Sequence, residues 1–106
     1  MKGLGNIMKQ AQKMQQEMAK IQEELAHKKV EAASGGGMVT VEANGQQEIL
    51  SIKIDPEVIN PDDKEMLEDL ILSAINEASR KAKDLMKSGL AKVTGGLNLP
   101  PGIGMP

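Results

Sequence analysis

The chain has no cysteine, no aromatic residue and a single histidine among its 106 residues. Without cysteine it can build neither a disulfide framework nor a thiolate metal site. Without Phe, Tyr or Trp it cannot stack the bases of single-stranded nucleic acid on aromatic rings. The single histidine, His27, falls where we predict a helix to end, and this position favours pairing with the negative end of the helix dipole over catalysis.

The sequence also lacks the motifs of common catalytic and cofactor sites. No Ser or Thr lies in a nucleophile-elbow context. The glycine run at residues 35–37 precedes a predicted strand, whereas a phosphate-binding loop continues into Lys-Ser/Thr and a helix. The carboxylates of residues 62–65 lack the ligand spacing of a calcium loop. We therefore expect no catalytic residue, cofactor, metal ion or small-molecule substrate.

Membrane and export signals are missing as well. No apolar run approaches the roughly 20 residues that span a bilayer. The first residues are too rich in Gln and Lys to resemble a signal peptide. Together with the absence of cysteine, these patterns predict a cytoplasmic protein without a membrane partner.

The sequence instead opens with a long helical pattern. Apolar residues recur at alternating gaps of three and four, which predicts a helix with a continuous apolar seam. We call this set the α1 seam; it consists of Leu4, Ile7, Ala11, Met14, Met18, Ile21 and Leu25. At 100° per residue, four lysines fall within about 40° of one another on the opposite side, at Lys2, Lys9, Lys13 and Lys20.

Three short strands are predicted after this helix, over residues 29–34, 38–43 and 47–54. The glycine run separates the first two, and Asn44-Gly45, a strong hairpin signal, separates the last two. Strands joined by such short turns form an antiparallel meander. Alternation in the third strand predicts that Leu50, Ile52 and Ile54 face inward, under the helices.

A second long helix is predicted from Pro61 to about Ala91, with Asn60 as its cap. The predicted fold is therefore α+β, a three-stranded antiparallel β-meander flanked by two long α-helices. We expect residues 1–94 to form a single domain and residues 95–106 to form a Gly/Pro-rich C-terminal tail that is either extended or mobile. Two long helices leave much apolar surface uncovered in so short a chain, so we expect a homodimer.

Charge is segregated along the chain. The net charge of −2 argues weakly against a nucleic-acid partner. However, residues 1–30 contain six Lys and three Glu, residues 31–72 are strongly acidic, and residues 73–106 are again basic. In the second helix, Arg80, Lys83 and Lys87 fall within about 60° of one another. Taken alone, each basic face is also explained as an ordinary solvent-exposed helix surface. The second face is also explained by the favourable interaction of cations with the negative end of the helix dipole.

Two such faces on two packed helices favour binding to DNA phosphates. Because aromatic side chains are missing and only Arg80 offers bidentate recognition of guanine, we expect weakly selective binding to duplex DNA. The alternative is a protein–protein adaptor for a replication or repair partner, which would use the α1 seam or the tail.

The sequence resembles the YbaB/EbfC family of bacterial nucleoid-associated proteins over essentially its whole length. Seven segments in order carry the resemblance: residues 8–15 (MKQAQKMQ), 35–37 (GGG), 44–45 (NG), 52–57 (IKIDPE), 65–71 (EMLEDLI), 94–96 (TGG) and 100–102 (PPG). The resemblance implies a homodimer with protruding helices, which binds double-stranded DNA in the cytoplasm and nucleoid. It also implies a role in chromosome organisation or gene regulation. The matching DNA-binding positions are Lys9 and Lys13 in the first helix and Arg80, Lys81, Lys83 and Lys87 in the second.

Overall fold

A computed structural model, which describes residues 2–95, has the element order α-β-β-β-α. The bounds are α1 Lys2–His27, β1 Lys29–Ser34, β2 Val39–Asn44, β3 Ile49–Ile54 and α2 Lys64–Gly95. Short 3₁₀ turns occupy Gly35–Gly37, Pro56–Val58 and Pro61–Asp63. The predicted fold class is confirmed. The predicted tail, apart from Gly95 at the end of α2, lies outside the described residues.

The strands form one antiparallel sheet in the order β1-β2-β3. Val41 in the central strand pairs with Ala32 on one side and Ile52 on the other. The β1–β2 connection is the glycine run, whose three residues have φ values of +60°, +68° and +96°. Only glycine adopts such angles without steric cost, so this run determines where the chain reverses.

The core lies between α2 and the first two strands. Val39, Val41 and Ala43 on β2 are completely buried, as their alternation predicts. Opposite them, α2 contributes a stripe of small residues, and Ala74, Ala78 and Ala82 are also completely buried. Because these side chains are small and recur every four residues, the helix backbone can approach the sheet closely along one face.

The third strand is less buried than its alternation predicts. Ile54 packs against the core, and Ile52 pairs with the buried Val41, so both lie on the predicted inward face of the sheet. However, Leu50 and Ile52 are each 44% exposed, so the expected cover by the helices is missing at those two residues. The reason is the position of the helices. Helix α2 covers mainly β1 and β2, and α1 meets the sheet at the end of β2 without lying over β3.

The loop after β2 holds the C-terminal end of α1. The Asn44 side chain is buried, and its Oδ1 accepts hydrogen bonds from the backbone N–H groups of Gln46 (2.9 Å) and Glu48 (3.0 Å). Its Nδ2 donates to the carbonyl of Ala26 (3.3 Å), and the Gly45 N–H donates to the carbonyl of Leu25 (2.8 Å). The hairpin signal thus supplies partners for helix-end carbonyls that would otherwise lack them.

Helix α1 projects beyond the rest of the protomer. Leu25 and Ile21 approach Gly89 of α2, and Glu17 lies beside Val93, so the two helices run antiparallel. Since α2 ends at Gly95, the N-terminal part of α1 continues past it for about 22 Å. We call residues 2–16 the arm. The protomer measures 73 × 26 × 16 Å, and its radius of gyration of 19.8 Å exceeds the value of about 13 Å typical of a compact chain of this length.

Candidate nucleic-acid interface

The arm carries the first predicted basic face. Lys9 and Lys13 are exposed, as is Lys20 further along α1. Among residues 2–95, no carboxylate oxygen lies within 4.0 Å of these three ammonium groups. Helix geometry places them about 150° around α1 from the α1 seam, and therefore away from α2. Lys2 is the first residue of the same helix.

Lys20 has more acidic surroundings than the two lysines of the arm. It lines an open groove of about 300 Å³ at the junction of the two helices, together with Glu17, Glu24, Lys92 and Val93. Glu17 lies one helical turn from both Lys13 and Lys20, but Glu24 is also one turn from Lys20, so the two carboxylates reduce the positive potential most around Lys20. Lys92 is not among the residues predicted from the sequence, because only the antiparallel packing brings it beside α1.

The second basic face lies on the outside of α2. Arg80, Lys83 and Lys87 are exposed, about 160° around the helix from the buried alanine stripe. The Arg80 guanidinium forms an ion pair with Glu77, one turn earlier in the helix. Within residues 2–95, Lys83 and Lys87 have no such carboxylate partner. The positive charge available on this face therefore comes mainly from the two lysines.

Lys81 is separate from that face. Its Nζ donates a hydrogen bond to the backbone carbonyl of Glu31, at 2.8 Å. It also lies about 100° around α2 from Arg80. Glu31 belongs to β1, an edge strand, so Lys81 covers part of that edge and ties α2 to the sheet.

Carboxylates concentrate at the opposite end of the protomer. They surround the start of α2 and are exposed: Asp62, Asp63, Glu65, Glu68 and Asp69. With a rise of 1.5 Å per residue, about 50 Å separates the start of α2 from the level of Lys13. The charge segregation along the sequence thus becomes a separation in space, with the basic arm at one end and the acidic residues at the other.

Metal-binding and membrane-spanning features are both missing from residues 2–95. No group of three or more His, Cys, Asp or Glu side chains in that range is placed to hold a metal ion. No helix in the same range has the length and apolar character needed to cross a membrane.

Known proteins resemble this chain in both sequence and fold. The model of the YbaB/EbfC DNA-binding family matches residues 1–97. A nucleoid-associated protein of Clostridium novyi is 57% identical over 97 residues, covering 92% of this chain and 85% of the relative. One from Thermoanaerobacter pseudethanolicus is 55% identical over 97 residues, covering 92% and 87%. One from Acetivibrio thermocellus is 55% identical over 100 residues, covering 94% and 88%.

The fold also matches a solved structure. The crystal structure of an uncharacterised protein from Helicobacter pylori superposes with a TM-score of 0.65 at 29% sequence identity, covering 77% of this chain and 94% of that one. The family match includes all of the residues that build the sheet, both helices and the arm. This chain therefore belongs to the YbaB/EbfC DNA-binding family.

Proposed function

We propose that this chain is a homodimeric nucleoid-associated protein that binds duplex DNA through phosphate contacts with low sequence selectivity. The observation that carries the proposal is the face formed by Lys9 and Lys13, which is exposed, projects from the body and is free of carboxylate partners within the described residues. The names of the relatives place those proteins at the nucleoid. By extension, this chain acts in the cytoplasm at the nucleoid, in chromosome organisation or gene regulation, without enzymatic chemistry.

Phosphate contacts explain the proposed binding mode better than base contacts. Duplex DNA carries about one negative charge per 1.7 Å of axis, and a lysine ammonium engages a phosphate as a point charge. Lys9 and Lys20 are separated by about 16 Å along α1, which is enough to follow several phosphates. The guanidinium suited to reading guanine, Arg80, is already paired with Glu77. The chain has no aromatic side chain to insert between bases or stack on them.

The predicted DNA-binding residues contribute unequally in this proposal. Lys9 and Lys13 make the primary contacts, and Lys2, at the start of α1, adds a further contact. Lys83 and Lys87, with Arg80, form the second contact surface. Lys20 contributes less, since Glu17 and Glu24 share its groove. We assign Lys81 to the β1 edge and not to the DNA.

The proposed homodimer forms through β3. This strand has no neighbouring strand on its outer side within residues 2–95, and Ile49, Leu50 and Ile52 are 40–44% exposed along it. An edge strand with apolar side chains favours pairing with another chain. The other edge, β1, is partly covered by Lys81. Two-fold pairing of β3 would produce one continuous sheet with two arms and double the number of basic faces.

The test is a salt titration of duplex binding by the purified, nucleic-acid-free protein. The variant is Lys9→Gln with Lys13→Gln, measured by fluorescence anisotropy on a labelled duplex from 50 to 300 mM salt. Each lost phosphate contact lowers the magnitude of the log–log salt slope by about 0.9, so the double variant should lose up to about 1.8 per protomer. At 0.1 M salt the same relation predicts up to about eightfold weaker binding per contact.

The matched control is Lys28→Gln with Lys64→Gln, which removes the same charge from two exposed positions outside the proposed surface. Its slope should equal that of the unmodified protein. Equal affinity and slope for the arm variant and the control would contradict the proposed surface. If the unmodified protein bound no duplex even at 50 mM salt, the proposal would fail and the adaptor function would be favoured.

A further inference from the structure

The α1 seam is only partly covered. Leu25 is buried and Ile21 is half-buried, where they pack against α2. Further along the arm the seam is open to solvent, with Leu4 59% exposed and Ile7 63% exposed, and Ala11 exposed as well. An apolar strip of this length on one helix favours contact with a second apolar surface.

We propose that the open seam of one arm packs against the same seam of a second copy of this chain, with the two arms antiparallel. The alternating gaps of three and four residues are those of helices that pair along a coiled coil. Contact between identical surfaces closes around a two-fold axis, so each copy covers the strip of the other. Helix α2 already packs antiparallel on the inner part of the seam, and the second arm continues that packing outward.

The length of the arm sets the register of the pair. The arm ends at residue 16, because α2 ends at Gly95, close to the level of Glu17. Two antiparallel arms of residues 2–16 overlap completely when residue 2 of one copy lies opposite residue 16 of the other. In that register seam residues meet seam residues at four levels: Leu4 with Met14, Ile7 with Ala11, and the two converse pairs. The end of α2 and the spacing of the seam therefore give the same register.

Side-chain sizes suit this register. Ala11, the smallest residue of the open seam, lies opposite Ile7, which is β-branched and among the most exposed apolar residues of the arm. Leu4 lies opposite Met14, whose flexible side chain adapts to the shape of its partner. Met8 flanks the seam near the middle of the arm and is 58% exposed. It lies beside its counterpart at the two-fold axis and adds to the apolar area that the pair buries.

Charge also favours an identical partner. The only charged side chains of residues 3–16 are Lys9 and Lys13, about 150° around the helix from the seam. The residues that flank the seam in this range are all uncharged: Gly3, Met8, Gln10 and Gln15. Two identical arms therefore meet without repulsion between like charges, and a charged partner would find no complementary charge beside the seam.

Pairing through the seam leaves both lysine faces open. Because each face lies on the far side of its own helix, the faces of two paired arms point in opposite directions. A consequence for DNA rests on the proposed function: if each lysine face holds a duplex, a pair of arms bridges two duplexes.

The contact is short and therefore weak. Four levels correspond to about two heptads, whereas a lasting coiled coil has at least three or four. We expect free arms to associate at protein concentrations on the order of 0.1–1 mM. At about 5 µM, sedimentation therefore reports on the proposed β3 pairing alone.

Site-specific cross-linking tests the pairing, since the native chain contains no cysteine. Three exposed glutamines of the arm are replaced one at a time, as Gln10→Cys, Gln12→Cys and Gln15→Cys. In the proposed pair, Gln10 flanks the seam and is displaced from its counterpart by only about 3 Å along the axis. Gln12 lies about 160° around the helix from Gln10, and Gln15 flanks the seam but is displaced from its counterpart by about 18 Å.

The relative rates decide the proposal. At about 0.5 mM protein, a short thiol-to-thiol cross-linker should join two Gln10→Cys chains at least tenfold faster than either control. If Gln10→Cys reacted no faster than Gln12→Cys, the seam would not face a second copy. If it reacted no faster than Gln15→Cys, the arms would not be antiparallel in this register. Either result would overturn the proposal.

Sedimentation gives an independent measurement. Ile7→Gln removes an apolar residue from the seam, whereas Asn6→Gln places the same side chain one residue away, off the seam. Between about 5 µM and 0.5 mM, the mean mass of the unmodified protein and of Asn6→Gln should rise about twofold, and that of Ile7→Gln should stay constant. A constant mass for the unmodified protein, or an equal rise in Ile7→Gln, would overturn the proposal.

Bridging of DNA is measured separately, as the retention of a labelled duplex on an immobilised duplex by added protein. Ile7→Gln should lower retention at least fivefold and change the affinity for a single duplex less than twofold. Unchanged retention would refute bridging through the arms. If the cross-linking pattern were obtained and the protein bound no duplex, the proposed function would fail, while the pairing of the arms would be supported.

Discussion

Replacing Gly45 with alanine tests how the arm is anchored to the sheet. A Cβ atom at this position would lie 2.8 Å from the Leu25 carbonyl oxygen, 2.8 Å from Leu25 Cδ2 and 2.9 Å from Leu25 Cβ. The carbonyl oxygen is part of the last turn of α1 and cannot move without moving the helix end. The hydrogen bonds from the Gly45 N–H to the carbonyls of Leu25 (2.8 Å) and Lys28 (3.0 Å) would be strained at the same time.

The expected cost is large for a single methyl group. Overpacking in a tightly packed interior costs about 1–3 kcal/mol. Weakening a buried hydrogen bond adds about 0.5–1.5 kcal/mol. We therefore expect Gly45→Ala to lower the free energy of unfolding by about 2–4 kcal/mol, which is a sizeable share of the roughly 5–15 kcal/mol typical of a native protein.

Urea unfolding followed by far-ultraviolet circular dichroism measures this loss, since the chain has no Trp or Tyr for fluorescence. Protein concentration is held constant, because a homodimer's apparent stability depends on it. Alanine substitutions at two other glycines serve as references for the size of this loss. An alanine Cβ at Gly36 meets nothing within 4 Å, but φ is +68°, so Gly36→Ala should cost about 1 kcal/mol. Gly5 lies in a helix, where an added Cβ meets nothing within 4 Å, so Gly5→Ala should not lower the free energy of unfolding.

The order of the three variants is the decisive result. Gly45→Ala should unfold at the lowest urea concentration, Gly36→Ala at an intermediate one and Gly5→Ala at or above that of the unmodified protein. If Gly45→Ala lost no more than Gly36→Ala, the close approach of the loop to α1 would not be required for stability. The proposed anchoring of the arm would then be incorrect.

Three further predictions follow from particular contacts. Asn44→Ala removes the buried side chain that bonds Ala26, Gln46 and Glu48, and should lower the free energy of unfolding by about 2–3 kcal/mol in the same urea assay. Ile52→Lys should convert the proposed dimer to a monomer in sedimentation experiments, whereas Lys53→Gln, one residue along β3, should not; a dimeric Ile52→Lys protein would argue against pairing through β3. Lys81→Gln should leave the salt slope of DNA binding unchanged, whereas Lys83→Gln should lower its magnitude by up to about 0.9 per protomer; equal slopes would contradict their separate assignments.

Features that depend on neighbouring residues in the chain were predictable from the sequence. The seam of α1 and the alternation of Val39, Val41 and Ala43 are local periodicities, and the structure has a helix and a buried strand face at those positions. The exposure of Leu50 and Ile52 depends instead on residues that are distant in the chain. Their alternation matches a buried face, and only the position of α2 over β1 and β2 leaves them uncovered.

The basic surfaces also combine features that follow from local spacing with one that depends on tertiary packing. Helix periodicity alone places Lys9 and Lys13 together, and the same 100° rule separates Lys81 from Lys83 and Lys87. The three-residue spacing of Glu77 and Arg80 is likewise typical of an ion pair within a helix. In contrast, the position of Lys92 beside α1 depends on the antiparallel contact between two segments that are about 70 residues apart in sequence.

The shape of the protomer explains why an acidic protein suits a polyanion. Charges in 0.1 M salt are screened over about 10 Å. The acidic residues at the start of α2 lie about 50 Å from the level of Lys13, which is five such lengths. A duplex lying against the arm therefore experiences its lysines, together with Glu17 one turn from Lys13, and hardly any of the distant carboxylates, so the net charge of −2 does not describe the surface that it meets. If the same charges were brought together in a compact body with a radius of gyration of about 13 Å, most of the carboxylates would lie within about three screening lengths of the lysines, and they would weaken the attraction.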